Sequence, residues 1–541
     1  MKPFQHVEMF RPRSSVFNLS EFRVLDADMG ILYPVYGRKM VPGDRFKLSH
    51  EVIMRMNPSV VPLMHEVNIF LHAFFCPLRC MWPKPVYQEG TPQEPGSWED
   101  FMTGGSTGLL EPEKPKWIPA SPAFRTTGSK WDYFGFPVDV DPVGAYPDAW
   151  LKRAYNWVWN EYYRDQTYMD PVDLDYEPML RRCWEKDYFT TALPWQQRGI
   201  APALPITGIT NAEFMGEYGS SGSNLNFFGM TSDGNLRSNV TYAGVDSFPQ
   251  AKMRVTPTIA PEFGFTTDST FAASQFKAWL NKNRVDLSNA STFDVNDLRL
   301  AFQTQKFLER NARSGARYTE FLRAHWGVFP RDDRLQRPEY VGGARMPLVV
   351  SEVLQTSSTD SISPQGNLAG HGMALDRGRL GSYFAQEFGV LIVLMSIMPR
   401  PVYQQGIDRE WLGETRYDEL LPEFVNLSEQ PVYNAEIYAS GTEAHNRGVF
   451  GFNPRFDEYR VGRNRVVGLM RSGVQNSLAF WHLGRYFANA PALNAEFLQC
   501  DPRKDWLAIP SQPAFICTVG IGNRAVRLLP VVGTPGLIDH H

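Results

Sequence analysis

A nearly regular alternation of apolar and polar side chains runs through residues 45–56 and limits the possible folds more than any other feature of the sequence. The apolar positions are Phe46, Leu48, Val52, Met54 and Met56, and the polar positions between them are Arg45, Lys47, Ser49, Glu51 and Arg55. Successive side chains of a β-strand point to opposite faces of the sheet, so a period of two is typical of a half-buried strand. The pattern therefore predicts an antiparallel sheet with one buried face.

Two apolar runs predict strands of a second kind. Residues 67–78 read VNIFLHAFFCPL, and residues 388–398 form the longest apolar run of the chain, which ends at Pro399. A strand that is apolar throughout is buried on both faces. The second run is far shorter than the roughly 20 residues of a membrane-spanning helix, so no membrane insertion is expected. Two sheets packed together account for both kinds of strand.

The length of 541 residues exceeds what a single hydrophobic core usually supports. The chain therefore holds either several domains or one core with long excursions, and its turn-forming residues favour the second arrangement. With 43 glycines, 41 prolines and only 21% charged residues, the composition is typical of many short strands joined by long loops.

Residues 293–345 combine a helical pattern with an arginine-rich extended segment. Apolar side chains recur at steps of three and four after Asp294, which is placed to cap the helix, and Gly315 is placed to end it. A shorter helix is predicted over residues 317–325, and the chain becomes extended at Pro338 because proline disfavours a helix before it. By periodicity alone, this stretch is a solvated helix pair linking two strands of a β domain.

The same stretch resembles a known family. NDLRLAFQTQKFLERNARSGARYTEFLRAHWGV followed by DDRLQRPEYVGG resembles the signature of the major capsid protein of gokushovirus-like microviruses, small icosahedral single-stranded DNA bacteriophages. GILYPVY, VPGDRF, PSVVPLM, WEDFMTGG and GSKWDYFGFP are similar to other segments of that family. Residues 37–39, 65–66 and 83–95 depart from the family pattern, which affects local loops and not the fold.

The resemblance implies an all-β fold, the eight-stranded jelly-roll β-sandwich of viral capsids with long loop insertions and a few helices. It implies self-assembly into a T=1 icosahedral shell that encloses circular single-stranded DNA, so the protein is expected in the virion after assembly in the bacterial host cytoplasm. Five scattered cysteines suit that reducing compartment. A small basic DNA-packaging protein and a host cell-surface receptor are the other implied partners.

Three regions are expected along the chain. Residues 1–28 form a polar N-terminal arm, and residues 29–198 and 290–541 form the jelly-roll core. Residues 199–289 are rich in Gly, Ser, Asn and Thr. A structureless connection of this length is uncommon inside a compact unit, so the segment is expected to form a small subdomain inserted at the surface. In the family the corresponding insertion forms a protrusion at the threefold axes. The host-recognition candidates are Tyr218, Asn224, Phe227 and Phe228, and a passive surface ornament is the alternative.

The charged side chains are expected to act through local contacts with DNA and with other subunits, not through an overall electrostatic field. The net charge is −4, so no overall positive potential attracts nucleic acid, and a contact with DNA must be a local patch. The candidates for DNA contact are Lys2, Arg11, Arg13 and Arg23 of the arm. A dense run of opposite charges is the candidate subunit interface, with Asp332, Asp333, Arg334, Arg337, Glu339 and Arg345 expected to pair across a subunit boundary.

The sequence shows no group of residues with the spacing typical of a catalytic site. The sequence contains no GxxxxGK[ST] or HExxH motif, and its DxD pairs lie in turn-rich segments. Cys76 and Cys80 lack a second Cys or His pair at metal-ligand spacing. We therefore expect no enzyme activity, no catalytic or metal-binding residue and no cofactor. The alternative function is a carbohydrate-binding or carbohydrate-active jelly-roll protein, but no spacing singles out the paired carboxylates that glycoside hydrolysis needs.

Overall fold

Two antiparallel β-sheets packed face to face form the centre of the structure, a computed structural model of the chain. The structure describes residues 13–83, 96–103, 109, 112–202, 229–230, 236–237, 253–255, 263–265, 295–314, 318–327, 329, 331–354 and 368–532. The strands of the first part of the chain are β1 (Ser15–Asn18), β2 (Glu21–Ala27), β3 (Leu32–Met40), β4 (Arg45–Met56), β5 (Val67–Pro77), β6 (Gly229–Met230), β7 (Leu236–Arg237), β8 (Met253–Val255) and β9 (Phe263–Phe265). The later strands are β10 (Glu339–Pro347), β11 (Val349–Leu354), β12 (Leu368–Phe384), β13 (Gly389–Pro399), β14 (Gln430–Tyr433), β15 (Val449–Asn453) and β16 (Phe515–Arg527).

The two main sheets join strands that are distant in the sequence. The first sheet has the order β1-β16-β4-β12-β11, and β2 pairs with β16 beside β1. The second sheet has the order β10-β5-β13-β3. All of these pairings are antiparallel, as the alternation of β4 predicts. Pairs β6-β7, β8-β9 and β14-β15 form smaller two-stranded sheets. The chain is thus a mostly β protein built around a β-sandwich.

The space between the two main sheets is the larger hydrophobic core. The apolar side chains of β4 lie there, and Phe46, Val52 and Met54 are completely buried. They share this core with alternate residues of β5 and β13, such as Leu71 and Val393. The prediction from the period-two pattern is therefore confirmed, because the polar half of β4 is exposed on the opposite face.

The outer face of the second sheet is covered by a separate aromatic cluster. Phe74 of β5 and Ile392 of β13 pack there against buried aromatic side chains, among them Trp117, Trp150 and Tyr155. Strands β5 and β13 are consequently buried on both faces, which explains why their sequences are apolar throughout. This confirms the second strand prediction.

Helices of 4 to 20 residues lie in the connections of the described chain. They are α1 (Leu78–Met81), α2 (Trp98–Thr103), α3 (Lys130–Tyr133), α4 (Trp150–Val158), α5 (Val295–Ser314), α6 (Tyr318–Trp326), α7 (Asn434–Ile437), α8 (Glu443–Asn446) and α9 (Ala495–Leu498). A π-helical turn, Trp159–Tyr163, continues α4. The helix pair predicted from periodicity is confirmed as α5 and α6, and Gly327 follows α6 with a left-handed φ of 69°. In the part of the chain that the structure describes, no helix is long and apolar enough to cross a membrane.

The chain divides into two compact units. One unit consists of Met1–Gly199 and Leu308–His541 and contains the β-sandwich. The other consists of Ile200–Phe307, and its described residues include the pairs β6-β7 and β8-β9 and the first part of α5. The sandwich strands β5 and β10 are neighbours in the second sheet, so this second unit is part of a long excursion between two paired strands.

Candidate interaction surfaces

The segment that links α6 to β10 is held against the π-helical turn by Tyr162. The Tyr162 hydroxyl donates to the carbonyl oxygen of Pro338 over 2.5 Å and lies 3.2 Å from the Asp332 carboxylate. Burial raises the pKa of Tyr162, because ionisation would place a negative charge beside Asp332 in a partly desolvated site. Tyr162 therefore stays a neutral donor and fixes the start of β10.

Arg337 completes this anchor from within the same subunit. Its guanidinium lies 4.6 Å from the ring centroid of Tyr162, and its Nη1 donates to the Thr319 hydroxyl over 3.2 Å. The Arg337 Nε is 3.3 Å from Asp332 Oδ1, an ion-pair contact without the angle of a directed hydrogen bond. The Arg337 side chain is only 12% exposed. Sequence reasoning placed Arg337 and Asp332 at a subunit boundary, whereas in the structure their charges pair with each other.

Arg345 and Glu339 also have partners inside the subunit. Glu66 binds two arginines, with Oε1 3.4 Å from Arg345 Nη2 and Oε2 2.8 Å from Arg400 Nη1. The hydrogen bond from Arg400 lowers the pKa of Glu66. Glu339 accepts a hydrogen bond from the Tyr383 hydroxyl over 2.7 Å, and burial raises the pKa of its carboxyl.

Two interface candidates remain at the surface of the linker. Asp333 pairs with Arg331 over 2.7 Å, and the Arg334 side chain is exposed. The structure thus brings five of the six candidates into contacts inside the subunit, and Asp332 and Arg337 make theirs beside Tyr162 of the π-helical turn. Pairing across a subunit boundary stays a prediction, and Arg334 is the candidate best placed for it.

The candidates for DNA contact have different surroundings. Lys2 and Arg11 lie outside the described residues, and Arg13 is exposed just before β1. Arg23 points to the inner side of the first sheet, where its Nη1 donates to the carbonyl oxygen of Tyr133 over 2.7 Å and its Nη2 pairs with Glu21. Burial lowers the pKa of Arg23. A phosphate would have to displace these contacts, so Arg23 is less suitable for DNA contact than the exposed Arg13.

Sequence reasoning missed a second group of cations that the strand register brings together. Lys47 of β4 is paired with Arg524 of β16, and Arg379 of β12 is paired with Ser49 of β4. The alternation of β4 places Lys47 on the solvated face, which was visible in the sequence. Arg379 and Arg524 come close to Lys47 only because strands that are far apart in the chain pair with each other. No local sequence pattern indicates this pairing.

The host-recognition candidates Tyr218, Asn224, Phe227 and Phe228 lie outside the described residues.

A large open cleft lies on the outer side of the second sheet. Its volume is about 1040 Å³, and its walls include His72, Tyr163, Arg182 and the ion pair of Arg313 with Glu429. The Tyr163 hydroxyl lies 2.8 Å from His72 Nδ1, and burial lowers the pKa of His72 to about 4. The imidazole is therefore neutral near pH 7, with one ring nitrogen able to donate and the other able to accept a hydrogen bond.

The described residues offer no metal centre. Among them, no group of three or more His, Cys, Asp or Glu side chains comes together. Asp28, from one of the DxD pairs, instead accepts hydrogen bonds from Lys504 Nζ and the Ala514 amide. All five cysteines are free thiols, and four of them are buried.

Comparisons with known proteins find relatives that align with almost the whole chain. A family model described as Capsid protein (F protein) matches residues 6–537. The Capsid protein VP1 of Chlamydia phage 1 is 33% identical and aligns with 99% of this chain and 97% of that protein. The Capsid protein VP1 of Bdellovibrio phage phiMH2K is 31% identical over 93% of this chain and 92% of its own length. That of Spiroplasma virus 4 is 29% identical over 97% and 95%.

Proposed function

The chain belongs to the phage capsid protein (F protein) family and is a major capsid protein, and from this premise we propose that it builds a T=1 icosahedral shell around circular single-stranded DNA. As a capsid protein it is a structural protein, not an enzyme. It assembles with copies of itself and its place is the virion. We further propose that assembly takes place in the bacterial host cytoplasm.

The observation that carries this proposal is the order of the sandwich strands. Strands β2-β16-β4-β12 lie next to one another in the first sheet, and β10-β5-β13-β3 form the second. Along the chain, β2, β4, β12 and β16 of the first sheet interleave with β3, β5, β10 and β13 of the second, so the chain crosses repeatedly between the sheets. This order supports an eight-stranded jelly roll, an architecture used by viral capsid domains. Strands β1 and β11 extend the first sheet at its edges.

Long excursions supply the surface that a shell needs. The chain leaves the sandwich between β5 and β10 and again between β13 and β16. These excursions expose large apolar side chains, among them Trp326, Phe329 and Trp411. Exposed apolar surface of this kind favours burial against other subunits, and each contact can be modest because every subunit makes several.

We assign three further partners to this shell. The single-stranded genome lies inside, where the cations of the N-terminal arm neutralise part of its charge, and a small basic DNA-packaging protein neutralises most of the rest. Residues 199–289 project outward and take part in binding a host receptor. Support for the last assignment comes from the separate compact unit at Ile200–Phe307, whose polar, glycine-rich sequence suits solvent.

Electron microscopy of purified material tests the proposal. Negatively stained preparations of the expressed chain, with and without single-stranded DNA and a basic packaging peptide, are expected to contain uniform closed shells. Size-exclusion chromatography of the same material should show an assembly of high mass. A monodisperse monomer under all of these conditions would favour the alternative, a carbohydrate-binding jelly-roll protein, and glycan-array binding would then be the next measurement.

A further inference from the structure

The exposed face of the first sheet carries a concentrated group of cations. We call this group the basic face, and it consists of Arg45, Lys47, Arg377, Arg379 and Arg524. The register of the sheet places them in successive rows: Arg524 beside Lys47, Arg379 beside Ser49, Arg377 beside Glu51 and Phe384 beside Arg45. All five cationic side chains are exposed. Glu51 is the carboxylate that shares these rows.

The cations are close enough to act together. Strands are spaced by about 5 Å and alternate side chains along a strand by about 7 Å, so the basic face covers roughly 10 by 20 Å. At physiological ionic strength the screening length is about 8 Å. The potentials of neighbouring cations therefore overlap, and the face attracts anions although the whole chain has a net charge of −4.

These cations differ from many described arginines in lacking a carboxylate partner. In the part of the chain that the structure describes, no carboxylate lies within ion-pair distance of the five side chains, whereas Arg153, Arg337 and Arg400 each pair with one. Arg379 donates to the Ser382 hydroxyl over 3.2 Å, and Arg45 lies 5.7 Å from the ring centroid of Phe384. The positive charge of the basic face is thus available to an external anion.

A groove runs through the middle of the basic face. It has a volume of about 640 Å³, and Lys47, Arg379 and Arg524 line it. Ser49 and Gly522 also line it, and a Cβ at Gly522 would lie 2.3 Å from the Ser49 hydroxyl oxygen. The glycine therefore keeps the groove open, and an extended anionic chain can approach the sheet between the cations.

We propose that the basic face binds the sugar–phosphate backbone of single-stranded DNA, a partner that rests on the proposed function of the chain. Cations and hydroxyl groups such as Ser49 bind phosphate oxygens, and Phe384, which is 48% exposed, offers a ring on which a base stacks. A basic packaging protein would be repelled by this face. Strand β1 lies beside this face, because it pairs Asn18 with Arg524.

Oligonucleotide binding to unassembled, full-length subunits tests the proposal. The affinity for a fluorescent single-stranded oligonucleotide is measured by anisotropy at several salt concentrations. The variant Lys47→Gln/Arg379→Gln/Arg524→Gln removes three cations from the groove. Its control, Arg416→Gln/Arg447→Gln/Arg471→Gln, removes three exposed arginines from distant loops and so has the same net charge.

The salt dependence separates the outcomes. Each phosphate contact with a single strand contributes about 0.7 to the slope of log K against log salt concentration, so the groove variant is expected to lose about 2 from this slope and to bind at least about tenfold more weakly. The control variant should keep the wild-type slope. Equal slopes and affinities for the two variants would overturn the proposal.

Assembly of the same variants distinguishes this inference from the proposed shell function. Shells of the groove variant with reduced DNA content per shell support the inference, and shells with normal DNA content contradict it. Loss of shells with unchanged oligonucleotide binding would identify the face as a contact between subunits and would overturn the inference. If the wild-type chain forms no shells at all, the shell function fails while the binding measurement still decides the role of the basic face.

Discussion

The guanidinium of Arg337 lies over the ring of Tyr162, while the Tyr162 hydroxyl donates to the carbonyl oxygen of the next residue, Pro338. One tyrosine thus holds both the side chain and the backbone of the segment that leads into β10. The arginine-rich run that looked like an intersubunit contact in the sequence is therefore also a structural element of the subunit.

Replacing Arg337 by alanine is expected to destabilise the subunit. The substitution removes the cation–π contact, the ion pair with the partly exposed Asp332 and the hydrogen bond to Thr319. We expect the free energy of unfolding to fall by about 2 kcal/mol. Urea denaturation of unassembled subunits measures the change.

The control for this prediction is Arg334→Ala, which removes an exposed arginine from the same turn. It should change the free energy of unfolding by less than about 0.5 kcal/mol. If Arg334→Ala assembles poorly while folding normally, the interface assignment of the exposed part of the linker gains support. Equal stability of the Arg337→Ala variant and the wild type would contradict the anchor described above.

The neutral state of His72 predicts a pH dependence of stability. Burial lowers the pKa of His72 from 6.5 to about 4 in the folded subunit. Between these values the unfolded chain binds a proton at this residue and the folded chain does not, so the free energy of unfolding falls as the pH drops from about 6.5 to about 4. The substitution His72→Gln keeps a hydrogen-bond acceptor for Tyr163 and removes the titration.

Denaturation curves measured from pH 7 to pH 4 check this expectation. The His72→Gln variant should lose up to about 1.4 kcal/mol per pH unit of the wild-type slope in this interval, which corresponds to one proton. His65 has its pKa lowered to about 4 in the same way, so part of the slope should remain. The control is His371→Gln, an exposed position on β12. A slope unaltered by His72→Gln would show that His72 binds protons equally in the folded and unfolded states, which contradicts the prediction.

Close packing at one edge of the sandwich makes Gly342 sensitive to substitution. A Cβ at residue 342 would lie 2.0 Å from the carbonyl oxygen of Leu380, an atom of the backbone of β12. Since backbone cannot rotate away as a side chain does, Gly342→Ala should lower the free energy of unfolding by about 3 kcal/mol. Thermal or urea unfolding measures this, and Gly462→Ala, where no heavy atom lies within 4 Å of the new Cβ, is the matched control. Similar stabilities of the two variants would contradict the packing.

Deletion of residues 219–234 tests the proposed role of the insertion. Since β5 and β10 pair directly with each other, the sandwich is expected to close without these residues. We expect a normal yield of shells and at least a tenfold loss of adsorption to host cells, the two being measured independently. Normal adsorption would remove this segment from receptor binding, and failed assembly would make it part of the shell framework.

The sequence predicted those parts of the fold that depend on residues close together in the chain. The alternation of β4 identified its buried face, and the continuous apolar runs identified β5 and β13 as strands covered on both sides. The partners of Arg337 were not predictable in this way. Tyr162 lies far from it in the chain, and only the folded connection brings the two side chains into contact.

The same limit applies to charged groups on the sheets. The sequence placed Lys47 on a solvated face but gave no sign that Arg379 and Arg524 share it, because that depends on the order β16-β4-β12. Charge on a β-sheet is a property of the strand register, whereas charge on a helix or a tail is visible in consecutive residues.

The position of β16 has a consequence for how the protein is made. This strand, Phe515–Arg527, lies between β2 and β4, although it is synthesised last and they are synthesised among the first. While the ribosome translates the chain, β2 lacks its neighbour and β4 has an open edge on that side. Such edges favour aggregation, so the nascent chain depends on protection until its end is released. Chains that end before residue 515 lack β16, so they leave both edges open and are expected to aggregate instead of completing the first sheet.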